Sequence, residues 1–155
     1  MSEPNLIMQP CVVQLRVRYS ETDQMGTFYN SRALEWFECG RTEFLRSLGR
    51  PYTQFEAEGV LLPLVEAHVQ YLGRARYDDL LRLTTTAAMS GRARLRFEVD
   101  IVQDASGAGV ARGFTEHAIT DANGRPIRPP SWLLDLLPLS SSTREPSSTS
   151  APERK

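Results

Sequence analysis

Asn30-Ser31-Arg32-Ala33-Leu34-Glu35-Trp36-Phe37-Glu38-Cys39-Gly40-Arg41-Thr42-Glu43-Phe44-Leu45-Arg46-Ser47-Leu48 is the stretch on which the fold turns. Ala33, Phe37, Gly40, Phe44 and Leu48 recur at helical spacing, joined by Leu34 and Leu45, and Gly49 and Pro51 end the pattern. The spacing predicts one long helix over 30–48 with a strongly apolar face. Gly40 in its middle costs roughly 1 kcal/mol of helix propensity relative to alanine. That cost makes sense if the helix lies very close to something flat, and a sheet is the natural candidate.

The rest of the chain supplies strands. Residues 11–19 alternate, with Cys11, Val13, Leu15, Val17 and Tyr19 on one face and Gln14, Arg16 and Arg18 on the other. After a short helix expected over 51–58, strands are expected over 60–72, 80–89, 92–102 and 110–120. The third of these alternates most clearly, Ala93, Leu95, Phe97, Val99 and Ile101 against Arg92, Arg94, Arg96, Glu98 and Asp100. Ser90-Gly91, Asp104-Ala105-Ser106-Gly107 and Asp121-Ala122-Asn123-Gly124 have the chemistry of tight antiparallel turns. Pro63 argues for a bulge or an edge position. The order, strand, long helix and four strands, gives an α+β architecture in which a five-stranded antiparallel sheet packs against one helix.

Length and composition bound the rest. At 155 residues, 41% hydrophobic and 24% charged, the chain has room for one domain. We divide it into an N-terminal extension at 1–10, the domain at 11–138 with a closing helical turn over 132–137, and a tail at 139–155. Ser, Thr, Pro and charged residues dominate that tail, so it is expected to be disordered. A net charge of -1 gives no field to attract nucleic acid, so a polyanionic ligand needs a local arginine cluster. No secretion signal or membrane-spanning run is evident, and a cytoplasmic protein with no membrane partner is expected. Cys11 and Cys39 are too few for a disulfide framework and read as buried small apolar residues. His68 and His117 have no third ligand nearby, so no metal and no cofactor is implied. There is no G-x-S-x-G elbow, Walker loop or H-E-x-x-H.

Chemistry concentrates between the first strand and the helix, in Val17-Arg18-Tyr19-Ser20-Glu21-Thr22-Asp23-Gln24-Met25-Gly26-Thr27-Phe28-Tyr29-Asn30. Two acidic residues, a glycine and an aromatic stand in one loop that ends at a helix N-terminus. Backbone N–H groups there, with the positive end of the helix dipole, can bind an oxyanion. An aspartate held close by can attack a carbonyl or activate water against it. Acidic residues and Asn before a helix are also ordinary caps and turn formers, so spacing alone does not decide.

Glu21-Thr22-Asp23-Gln24-Met25-Gly26-Thr27-Phe28-Tyr29 resembles the D-T-D-x-x-G-x-x-Y loop of the 4-hydroxybenzoyl-CoA thioesterase family. Glu35 to Arg46 is similar to that family's helix, with its E-x-x-R-T-E character. Tyr71 to Asp79 and Gly124-Arg125-Pro126 resemble later stretches of it, so the likeness covers nearly all of 12–137. The resemblance implies the hot-dog fold, an antiparallel five-stranded sheet wrapped around one long helix, and hydrolysis of an acyl-CoA or an acyl carrier protein thioester. It makes Asp23 the catalytic carboxylate, by nucleophilic or general-base attack. The oxyanion donor falls to the main-chain N–H of Tyr29 or Asn30, with Asn30 favoured by its distance from Asp23. Gly26 would let the loop approach substrate closely.

Glu21 stands where the family has aspartate, which leaves it a structural hydrogen-bonding role. Asn30, Ser31 and Arg32 stand where relatives often carry histidine or proline. Glu35, Glu38 and Glu43 are fallback carboxylates that otherwise read as solvated or interface charges. Arg74, Arg76, Arg92, Arg94 and Arg96 are the candidates for the CoA phosphates, although alternate arginines also mark a solvated strand face. The family implies a homodimer or homotetramer with sites at the subunit boundary. A hydratase on the same fold needs a histidine soon after the aspartate, and Phe28 stands there instead. A non-catalytic acyl-thioester binding protein is the other alternative.

Overall fold

The computed structural model describes residues 9–137. The tail at 139–155 and most of the N-terminal extension lie outside the described residues. Five strands, β1 (Cys11–Arg16), β2 (Leu64–Tyr71), β3 (Leu80–Ser90), β4 (Arg94–Gln103) and β5 (Gly109–Ala118), form one antiparallel sheet in the order β1-β3-β4-β5-β2. The long helix α1 (Arg32–Ser47) lies across it, followed by α2 (Tyr52–Ala57), and α3 (Ser131–Leu136) closes the domain. This is the α+β architecture of one long helix on a five-stranded sheet that the sequence predicts. Among the described residues no helix is long and apolar enough to cross a membrane.

Period-two patterning decides which face meets the helix. Leu81, Leu83, Thr85, Ala87 and Met89 of β3 are buried, and so are Leu95, Phe97, Val99 and Ile101 of β4, paired across the ladder as Leu83 with Ile101 and Thr85 with Val99. Two packed groups result. One gathers Phe28, Trp36 and Phe37 beneath the start of α1, and the other gathers Phe44, Phe55, Phe97 and Leu133 beneath its end. They meet at Gly40. A Cβ there would stand 2.5 Å from Thr85 Oγ1 and 3.6 Å from a Val99 methyl, so the missing side chain is what lets α1 sit on the sheet. Thr85 Oγ1 is buried without a hydrogen-bond partner among the described residues.

Three expectations change. The strand expected from residue 60 begins as β2 only at Leu64, because Pro63 precedes it and the register shifts between Leu64 and Glu66. Tyr19 leaves the β1 face for a 3-10 turn (Tyr19–Glu21), where it is exposed. Cys39 is exposed rather than buried, since it lies on the helix face turned from the sheet. Partial desolvation still pushes its thiol pKa up, with Glu38 adding to the rise, which lowers its thiolate fraction.

His117 is buried on β5 with both ring nitrogens engaged. Nδ1 donates to the Leu62 carbonyl at 2.9 Å, and Nε2 is bonded to the Thr115 hydroxyl at 2.9 Å, accepting from it when the ring is neutral. Burial depresses its pKa, the Leu62 bond partly offsets this, and the Arg41 charge adds to the depression. The unfolded histidine therefore takes up its proton first, and stability falls as pH drops below about 6.5 towards the lower folded value. Thermal melts should lose midpoint temperature between pH 7 and 5.5, and His117→Gln should flatten that slope. An unchanged slope in the variant would remove His117 as its cause.

Candidate active site

The loop between β1 and α1 is built as a small hairpin. Thr22 pairs with Phe28, the Asp23 N–H donates to the Thr27 carbonyl at 2.9 Å, and the Gly26 N–H donates to the Asp23 carbonyl at 3.1 Å. Gly26 closes this turn with φ of 74°, a conformation that side chains with a Cβ rarely adopt. Asp23 Oδ1 accepts from the Met25 N–H at 2.8 Å, with the Thr27 N–H behind it at 3.5 Å. Oδ2 is left without a partner among the described residues, so the half-buried carboxylate is oriented at one oxygen and available at the other.

Two anchors hold the hairpin. Glu21 is 3% exposed, and its Oε1 accepts from the Arg18 N–H while Oε2 accepts from the Trp36 indole, each at 2.7 Å. Burial alone would raise its pKa, but these hydrogen bonds and the Arg18 guanidinium outweigh it and hold the carboxyl below the usual range. The extra methylene of glutamate thus carries a charged group across to α1. The second anchor is Ala75. The Phe28 N–H donates to its carbonyl at 2.8 Å, and its N–H donates to Thr27 Oγ1 at 3.3 Å.

The two expected oxyanion donors part company here. The Tyr29 N–H is consumed by the Glu21 carbonyl at 2.8 Å, while no hydrogen bond among the described residues engages the Asn30 N–H. Asn30 sits two residues before the first residue of α1, and its carbonyl accepts from the Tyr71 hydroxyl at 2.7 Å. Tyr71, which stacks on Phe28 with ring centroids 6.0 Å apart, is a site residue that sequence reasoning did not single out. Its place within the Tyr71 to Asp79 stretch was the available signal.

The five arginines do not form one cluster. Arg74 and Arg76 flank Ala75 and so stand exposed beside the hairpin. Arg92 lies in the β3–β4 turn, while Arg94 and Arg96 pair with Glu116 at 3.4 and 3.5 Å, Arg96 stacking over Phe114 as well. Gln103 reaches the Arg74 carbonyl from the far end of β4, so the two groups occupy opposite ends of that strand. Of the fallback carboxylates, Glu35 pairs with Arg32 and Glu43 with Arg46 on the helix surface, and Glu38 is exposed. No group of three potential metal ligands occurs among the described residues.

Residues 17–137 match the model of a family described as the thioesterase-like superfamily. The putative acyl-CoA thioesterase YneP of Bacillus subtilis is 41% identical over 66 residues, covering 43% of this chain and 48% of that protein, so the match spans less than half of that relative. A putative esterase of Aquifex aeolicus is 29% identical over 128 residues, 83% of this chain and 98% of its own. Among solved structures, a hypothetical protein of Thermus thermophilus superposes with a TM-score of 0.76 at 32% identity, covering 81% of this chain and 95% of that one.

Proposed function

The chain belongs to the thioesterase-like superfamily, and from that premise we propose that it hydrolyses an acyl-CoA or related acyl thioester to a free acid and a thiol. Asp23 is the carboxylate of this reading. By one route Oδ2 attacks the thioester carbon, the C–S bond breaks with its electron pair leaving on sulfur, and water then cleaves the acyl anhydride. By the other, Asp23 takes a proton from water as that water attacks the same carbon, and the C–S bond then breaks to release the thiolate, which takes up a proton as the thiol leaves. Either way the carbonyl oxygen gains negative charge. The observation that carries the reading is the free Asn30 N–H at the positive end of the 16-residue α1, in the same loop as a carboxylate with one free oxygen.

Arg74 and Arg76 are the arginines placed to meet the phosphates of coenzyme A, because they alone of the five adjoin the hairpin. Arg94 and Arg96 are occupied by Glu116. Replacing Arg74 and Arg76 together by alanine should raise KM for an acyl-CoA several-fold and weaken its salt dependence, while leaving KM for the matching acyl-pantetheine unchanged. Equal effects on both thioesters would move the phosphate site elsewhere. Thiol release from aromatic and C2 to C18 acyl-CoAs tests the reading as a whole. Turnover of any of them supports it, and hydrolysis of acyl carrier protein thioesters alone would favour the carrier as substrate.

A homodimer accompanies this reading. β2 is a sheet edge exposed along nearly its whole length, with Leu64, Val65 and Tyr71 open to solvent and exposed Leu72 just beyond it. An edge this apolar invites pairing with a second copy.

A further inference from the structure

On the face of α1 that adjoins the start of β2 lies a cleft of about 210 Å³. Leu45, Leu62 and Phe97 give it apolar walls, Leu64 stands at its rim, and Arg41 and Glu38 supply charge. No hydrogen bond or ion pair among the described residues engages the Arg41 guanidinium, and burial penalises its charge. Glu38 acts on it only at longer range, and His117 on the cleft wall is already bonded on both nitrogens. A half-buried guanidinium without a partner, beside apolar walls, is a recognition element for an oxygen acceptor carried on an apolar body. A cavity of about 150 Å³ takes benzene, so this cleft suits one ring or a short chain.

Its position relative to the hairpin decides what it serves. Within one subunit, Arg41 lies nine residues beyond Arg32, about 13 Å along α1, too far for a short acyl group held at Asn30. Pairing between copies shortens the path. When the eight residues of β2 run antiparallel against their own copy, full overlap sets Leu64 of one subunit beside Tyr71 of the other. Leu64 marks the rim of the cleft, and Tyr71 holds the Asn30 carbonyl.

Resting on the thioesterase reading and its β2-paired dimer, we propose that the Arg41 cleft of one subunit receives the far end of the acyl group whose thioester lies at the partner's Asp23 loop, and that Arg41 selects acyl groups bearing an oxygen acceptor there. Adipoyl-CoA and hexanoyl-CoA, which differ at that end by a carboxylate against a methyl, are the probes. The wild-type protein should favour adipoyl-CoA in kcat/KM, and Arg41→Gln should lower the adipoyl-to-hexanoyl ratio about tenfold, the factor expected of one charge-assisted hydrogen bond. Glu38→Gln should raise the ratio by relieving repulsion of the carboxylate. Arg41→Lys, which keeps the charge and loses the fork, should keep an intermediate ratio, and thermal melts verify that each variant is folded.

Co-expression of differently tagged Asp23→Asn and Arg41→Gln chains then tests the sharing. Purified hybrids should regain the wild-type ratio, because one of their two sites combines Asp23 of one chain with Arg41 of the other. A hybrid ratio equal to that of Arg41→Gln alone overturns the sharing of the site. A ratio unmoved by Arg41→Gln while Asp23→Asn abolishes turnover overturns this inference and leaves the thioesterase reading standing. Absence of turnover with every thioester overturns both.

Discussion

Asp23→Asn should lower kcat for the best acyl thioester by roughly 10²- to 10⁴-fold, the range expected when a positioned catalytic carboxylate loses its basicity. The asparagine can still accept the Met25 N–H that fixes Asp23 Oδ1, so the hairpin should keep its geometry. Melting temperature should therefore stay within a degree or two of wild type, and KM should change little. That combination separates lost chemistry from lost structure. Undiminished turnover in a folded Asp23→Asn protein would move the carboxylate to α1, where Glu38 lacks the arginine partner that Glu35 and Glu43 have.

Gly40→Ala should be the most damaging single-methyl change in the helix. In an ordinary helix interior the substitution gains about 1 kcal/mol from propensity. Here the new Cβ meets Thr85 Oγ1 at 2.5 Å with Val99 methyls close beside it, and overpacking of this kind costs about 1–3 kcal/mol. The net expectation is a loss of stability in urea or thermal unfolding. Adding Thr85→Ala removes the opposing oxygen and should recover much of the loss, so the double-mutant cycle should show positive coupling. A stabilised Gly40→Ala protein would mean that α1 does not rest on the sheet as described.

These two residues also mark how far the sequence could be read. Gly40 was legible because a glycine inside an otherwise strong helical pattern calls for a reason, and close approach to a sheet supplied it. The β3–β4 and β4–β5 hairpins followed from turn chemistry and alternation, which are local signals, whereas the long-range pairings of β1 with β3 and β2 with β5 did not. Resemblance made the Asp23 loop legible and distance from Asp23 favoured Asn30 over Tyr29, but the physical reason, the Glu21 carbonyl folding back to take the Tyr29 N–H, was not visible in the sequence. Row patterning also misgrouped the arginines. Alternation on β4 says that Arg92, Arg94 and Arg96 share a face, but it cannot say that Glu116 on the neighbouring strand waits for two of them. Arg41 was read only as part of the E-x-x-R-T-E helix pattern, for the opposite reason. It follows Gly40 in a run that reads as helix surface, and only the packing of Leu45, Leu62 and Phe97 around it gives the side chain a cleft.

The Asp23 hairpin is fastened at its base, by Ala75 to Thr27 and Phe28 and by Glu21 to Trp36, whereas the Gln24 and Met25 side chains at its tip are exposed. Only the main chain of Met25 is used to steer the carboxylate. Side-chain changes at positions 24 and 25 should therefore leave the orientation of Asp23 unaltered while changing the surface beside it. For the same reason a combinatorial library confined to those two positions is an economical start for retargeting the protein.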